Sequence, residues 1–254
     1  MTVSELPAPA ASAQLWLRHG HAVYLGPSLP LGAHSTAIAC LAVGIDEPFV
    51  VSAAEISPIT VRSFLFRARV THEIVESSGR MLFCFFDPTS ARMARCIAGM
   101  HRTLGPFGVD HRRETELIEV CSGTVDFERL LELASVPVID IGDERIAAAA
   151  AAIRAEPGRK HPAADAARTA GLSTSHFLRL FSDQTATSFR RYILWARMLH
   201  VARAFSDGHD FTRAAADAGF SSPSHFSDTF RAMFGLTPTT LAQIQGALRL
   251  ADSA

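Results

Sequence analysis

The residue types that could do chemistry sit in a repeat. The segment AGLSTSHFLRLF, Ala170 to Phe181, returns as AGFSSPSHFSDTF, Ala218 to Phe230. The Ala-Gly pairs are 48 residues apart and the Ser-His-Phe triplets 49, so the second copy carries one extra residue in its turn. Each copy follows a short Ala-rich run. The order helix, Gly, apolar residue, Ser, helix is that of a helix-turn-helix. Such a unit makes no covalent bond; its second helix presents hydrogen-bonding groups to base edges and phosphates.

That reading assigns roles by helical position. In the first unit Thr174, Ser175, Leu178 and Arg179 face outward, while Leu172, Phe177, Leu180 and Phe181 form the core. Arg179 is the strongest base reader, because a guanidinium can bond guanine O6 and N7 together. In the second unit the outward set is Ser224, His225, Ser227 and Asp228, over a core of Phe220, Phe226 and Phe230. Asp228 either accepts from cytosine N4 or repels the backbone and leaves its unit reading weakly. Phosphate contacts are expected from Arg190, Arg191, Arg213 and Arg231. The N–H groups that open helices at Ser173, Ser188 and Ser222 are expected to add to them. Gly171 and Gly219 stand where a helix ends on positive φ, and Ser173, with Ser221 or Ser222, is placed to cap the next helix.

Other chemistries find little footing. There is no G-x-S-x-G, Walker-type loop or G-x-G-x-x-G. Cys40, Cys84, Cys96 and Cys121 are far apart with no C-x-x-C pair, so they read as buried thiols. His34 and His72-Glu73 do not reach the three or four ligands of a working metal site, so no metal and no cofactor is expected. The two histidines either line an effector pocket or sit at the surface or rim.

The elements that position these residues divide the chain by charge. The net charge of -1 hides an asymmetry. Residues 1–144 hold 11 Arg against 17 acids, a net −6, and residues 145–254 hold 13 basic against 8 acidic residues, a net +5. An acidic half joined to a basic half suggests a nucleic-acid-facing module attached to something else. A uniformly basic architectural binder is thereby disfavoured. The mean hydropathy of +0.17 is largely alanine, and no run approaches a membrane span. MTVSELPAPAASAQ lacks the basic and apolar regions of a signal peptide, so a cytoplasmic, nucleoid-associated protein without membrane partners is expected.

Residues 14–87 have the texture of short strands in HAVYLG, STAIACLAVGI, PFVVSA, ITVRSFLFRARV and RMLFCFF, which predicts a sandwich or small barrel. Helices are predicted around 89–103 and 125–134. Seven more follow Asp143, one of them an unbroken helix over 188–205. At 1.5 Å per residue that helix spans roughly 27 Å, and as a rigid spacer it could set two reading helices about one DNA turn, near 34 Å, apart in successive major grooves. Tyr192 and Trp195 on it read as core.

On these motifs, residues 144–248 resemble the DNA-binding domain of the AraC/XylS transcriptional regulators. Ala215, Gly219, Phe220, Ser222, Phe226, Phe230, Phe234, Gly235, Thr237 and Pro238 carry the second-unit signature. Ala167, Gly171, Leu172, Ser173, Phe181, Phe189, Tyr192 and Arg197 carry the first. Ala186, Ala242 and Asp228 depart from it, where Gly, Arg and a basic or polar residue are usual. The resemblance implies that Arg197 is an internal ion-pair partner. It implies a cupin-like β domain with following helices, FLFRARVTHEIVESSGRMLFCFFDP resembling the closing hairpin of such a barrel. That domain would bind a small effector, dimerise, or both, and RNA polymerase would be a partner if the chain activates.

The expected domains are a flexible N-terminus at 1–12 and a cupin-like sensor or dimerisation domain at 13–134. A linker at 135–143, an AraC-type domain at 144–248 and a tail at 249–254 complete them. The expected function is a sequence-specific transcription regulator acting on double-stranded DNA as a homodimer. The alternative is a metal-dependent cupin enzyme with an appended DNA-binding domain.

Overall fold

The computed structural model of the chain describes residues 13–18, 20–53, 56–90, 96–135, 142–244 and 249–250. The expected flexible N-terminus, most of the expected linker and the last four residues lie outside them.

The N-terminal half is a sandwich of two antiparallel layers. The strands are β1 (Gln14–Arg18), β2 (His21–Pro27), β3 (Cys40–Gly44), β4 (Phe49–Ala53), β5 (Ile56–Val61), β6 (Ser63–Phe66), β7 (His72–Glu76), β8 (Arg80–Phe85), β9 (Met100–Leu104) and β10 (Phe107–His111). The large sheet runs β11-β1-β2-β8-β3-β6-β10-β9, and the small one β5-β4-β7. Its β11 is Arg249–Leu250 from the far end of the chain, pairing with β1 in parallel.

The central strands are apolar throughout because both faces are covered, and period-2 alternation sends neighbours to different cores. Leu41, Val43, Leu82 and Cys84 pack under α1 (Glu114–Val120) and α2 (Phe127–Leu133), through Leu117, Phe127 and Leu130. Ala42, Phe64, Phe66 and Phe83 face the other way, onto Phe49, Val51 and Ile74 of the small sheet. All four cysteines are buried free thiols.

Three details correct the predictions for this half. Residues 96–99 are helical, but Met100–Leu104 is a strand paired with β10, not the end of a helix. The four-residue spacing of Met100 and Leu104 also fits the period of a strand, and Gly105, at φ 55°, turns it back onto β10. The run 59–70 is two strands in different sheets. They part at Arg62, whose guanidinium donates to the carbonyls of Gly44, Ile45 and Asp46. The stretch likened to a closing hairpin is none: β6 and β8 each pair with β3, and β7 pairs with β4.

The C-terminal half is helical apart from β11: α3 (Glu144–Ala155), α4 (Ala163–Thr169), α5 (Thr174–Thr185), α6 (Phe189–Ser206), α7 (Phe211–Asp217), α8 (Pro223–Phe234) and α9 (Pro238–Ile244). The seven predicted helices are present among the described residues, but TPTTLAQIQGALRL, expected to be helical to its end, closes in the strand Arg249–Leu250. One core gathers Ile146, Ile153, Phe177, Phe181, Phe189 and Tyr192. A second joins α6, α7 and α8 to Ala22, Ala37 and Ile38 of the β half. The two halves therefore share a core.

Candidate nucleic-acid interface

The two units are built alike at the turn. Helix α4 ends in a Schellman arrangement, with Leu172 N–H bonded to Ala167 O at 2.9 Å and Gly171 N–H to Arg168 O at 3.1 Å. Helix α7 repeats it with Phe220 to Ala215 at 3.0 Å and Gly219 to Ala216 at 2.9 Å. Gly171 and Gly219 hold φ of 67° and 82°, the left-handed region that glycine enters at little cost. The next helix is then capped by serine: Ser173 accepts from His176 N–H, and Ser222, not Ser221, accepts from His225 N–H. Each cap satisfies one of the four free N–H groups at a helix start and leaves others for an anion. Ser188 caps α6 in the same way.

On α5 the outward set is as predicted by position. Thr174, Ser175, Leu178 and Arg179 are exposed over buried Phe177 and Phe181. Leu178 is 38% exposed, one of two large apolar side chains so placed among the described residues. On α8, Ser224, Ser227 and Asp228 are exposed, while His225 is half-buried. Its Nδ1 lies 3.0 Å from Ser221 Oγ and its ring meets Phe220 edge-on, which ties it to the turn.

The phosphate candidates divide. Arg190, Arg213 and Arg231 are exposed, with Arg213 3.8 Å from Asp217. Arg191 is half-buried and turned the other way. It donates to the carbonyl and hydroxyl of Ser35 in the β half. Sequence reading missed this because the partners are 156 residues apart. Arg197 is internal as expected, but it donates to the carbonyls of Pro157 and Gly219, at 3.1 and 2.8 Å, where an acid was expected. Tyr192 and Trp195 are buried.

Further bonds lock the helical half to the sandwich. Gly32 N–H donates to Gly235 O and Ser35 N–H to Ala232 O, so the C-terminal end of α8 lies along the β2–β3 connection. Trp195 Nε1 donates to Gly20 O at 3.0 Å. Asp87, 1% exposed, accepts from Arg154 of α3 at 2.9 Å and from the Tyr192 hydroxyl at 2.8 Å, with Thr89 completing its shell.

His34 and His72 meet at this junction. Their backbones bridge antiparallel, their ring centroids are 4.4 Å apart, and both are buried, so neither is a surface or rim histidine. Burial lowers both imidazoles from their usual value, His72 to about 3. They line an apolar cavity between the halves, closed on the helical side by Trp195, Leu199, Phe230 and Phe234. Among the described residues no three His, Cys, Asp or Glu converge as a metal site would need, and no helix is long and apolar enough to cross a membrane.

Comparison with known proteins agrees with this construction. Residues 166–244 match the family model described as a helix-turn-helix domain. The HTH-type transcriptional regulator GlxA of Rhizobium meliloti is 35% identical over 82 residues, 32% of this chain and 25% of that protein. Invasion protein InvF of Salmonella typhimurium is 34% identical over 83 residues, 32% of this chain and 37% of the relative. The matches thus span 25% to 37% of the relatives' own lengths. ToxT from Vibrio cholerae superposes with a TM-score of 0.58 at 13% identity, over 89% of this chain and 98% of its own. An unsaturated-fatty-acid-bound wild-type ToxT gives 0.59 at 12%, over 92% and 98%. At that identity the likeness is one of fold: a β domain followed by paired helical units. Over residues 166–244 the chain carries a helix-turn-helix domain.

Proposed function

We propose that the chain is a sequence-specific DNA-binding transcription regulator whose β domain governs its paired reading helices. One observation carries this: two helix-turn-helix units with the same Schellman turn and serine cap, each exposing polar side chains on its second helix. Base reading falls to Thr174, Ser175, Leu178, Arg179, Ser224, His225 and Asp228. Positioning falls to Arg190, Arg213, Arg231 and the helix starts at Ser173, Ser188 and Ser222, with Arg191 available once it leaves Ser35. The β domain supplies control through the shared core, by an effector, by pairing with a second copy, or by both. RNA polymerase is a partner at promoters where the chain activates, in a nucleoid-associated cytoplasmic setting. A neighbour of the same fold is described as fatty-acid-bound, which supports a small apolar effector for the cavity that holds His34 and His72.

Selection from a random DNA pool with the purified chain, at fixed salt, tests this function. A two-part motif about one helical turn across is expected, near 10 base pairs. A motif confined to one groove would reduce the Asp228 unit to positioning, and unselective binding would overturn the reading.

A further inference from the structure

The chemistry of the cavity says what it can hold. It offers about 130 Å³, partly open to solvent, between the β2–β8 face of the large sheet, the β2–β3 connection, and α6 and α8. Leu17, Tyr24, Phe83, Leu199 and Phe234 represent its wall, and no Lys, Arg, Asp or Glu stands among the described residues that line it. Most of its polar atoms are already engaged. The Tyr24 hydroxyl donates to Pro27 O at 2.8 Å, and Trp195 Nε1 donates to Gly20 O.

Thr36 differs. It is 2% exposed, it lines the cavity, and its Oγ1 has no hydrogen-bond partner. An unpaired buried hydroxyl is destabilising, so one at a cavity wall points to an absent partner. His34 and His72 line the same cavity. Each ring meets a carbonyl through Nδ1, His34 to Gly32 O at 2.8 Å and His72 to Val70 O at 2.9 Å. A carbonyl accepts only, so both neutral rings carry the proton on Nδ1 and keep Nε2 as an acceptor. With burial disfavouring their protonation, neither supplies a positive charge at neutral pH.

We propose that this cavity binds an uncharged, ring-sized apolar molecule with one hydroxyl, a phenol or a small cyclic alcohol, whose hydroxyl bonds Thr36 and an imidazole of the His34–His72 pair. The size follows from volume, since an apolar cavity of about 150 Å³ accommodates benzene. The neutrality follows from the wall: an ionised carboxylate without a cation or donor array loses its hydration with nothing to replace it. The bound molecule would touch Trp195 of the helix joining the two units and Phe234 of the second reading helix together. As the effector it rests on the regulator reading above, and its binding is measured apart from DNA.

Three probes of one shape decide the matter on the full chain: toluene, p-cresol and p-toluate, followed by thermal shift and ligand-observed NMR without DNA. The expected result is that p-cresol raises Tm and binds about 5–100-fold more tightly than toluene, the worth of two hydrogen bonds, while p-toluate does not bind. In Thr36→Val the p-cresol advantage should fall to that of the single remaining bond to the imidazole, about 2–10-fold, and toluene affinity should stay. Binding of p-toluate as tight as that of p-cresol, equal binding of toluene and p-cresol to the unaltered chain, or no binding of any probe at millimolar concentration overturns the proposal. The unaltered chain decides alone if Thr36→Val fails to fold. Because no DNA is present, failure here leaves the regulator reading standing, and failure of the pool selection leaves this result standing.

Discussion

Ala186 closes α5 at φ 53°, ψ 14°, in the left-handed region, where its methyl group costs about 1–2 kcal/mol. The corresponding cap of α8 is Gly235, at φ 74°. Ala186→Gly should therefore stabilise the chain by about 0.5–1 kcal/mol after the added freedom of the unfolded glycine is counted, as denaturant midpoints would show. Arg179 makes the opposite kind of prediction. Arg179→Ala should cost about 1–3 kcal/mol at a single base position and relax selectivity there, measured as relative affinities over single-base operator variants. A uniform loss over all variants would make it a phosphate contact. These local features were legible in the sequence because they depend on near neighbours: a glycine where φ is positive, a serine three residues before the N–H it caps. The capping residue of α8 stayed open between Ser221 and Ser222 until the backbone settled it, since either hydroxyl could reach.

Helices α3, α6 and α8 show how one half constrains the other. Asp87 holds Arg154 and Tyr192 together with almost no water near it. Removal of the carboxylate strands a guanidinium that is partly shielded and a phenol that is not exposed at all. Asp87→Ala should destabilise the folded chain by about 3 kcal/mol in chemical unfolding, whereas Asp87→Asn should lose less because an amide oxygen can still accept. A loss under 1 kcal/mol for the alanine variant would mean that water replaces the carboxylate. None of this junction was legible: Asp87 and Tyr192 are 105 residues apart, and nothing in either segment marks the other. The same limit explains β9. The spacing of Met100–Leu104 suits either a helix or a strand, and its pairing with β10 makes the choice.

At the scale of the whole molecule, a −6 half and a +5 half share a core. The division by charge anticipated two modules but not that they pack as one. Buried histidines make that body sensitive to acid. His72 is lowered to about 3 and His111 to about 4, in each case chiefly by burial, and His34 is lowered in the same way despite Glu73 nearby. Their pKa in the folded state lies below the unfolded 6.5, so the unfolded chain binds more protons once pH drops under that value. The stability from these groups is whole above pH 6.5 and is lost progressively as pH falls toward 3–4. Tm should decline over that window, and His72→Gln should flatten the decline.

The central claim is that one chain reads two successive major grooves through paired units. Its most direct test is a methylation-protection footprint of the purified chain on its selected operator. The account predicts protected guanines in two major-groove patches on one face of the duplex, about 10 base pairs apart, with protection in one patch lost in Arg179→Ala. Protection confined to a single patch, or unchanged by Arg179→Ala in both, would contradict it.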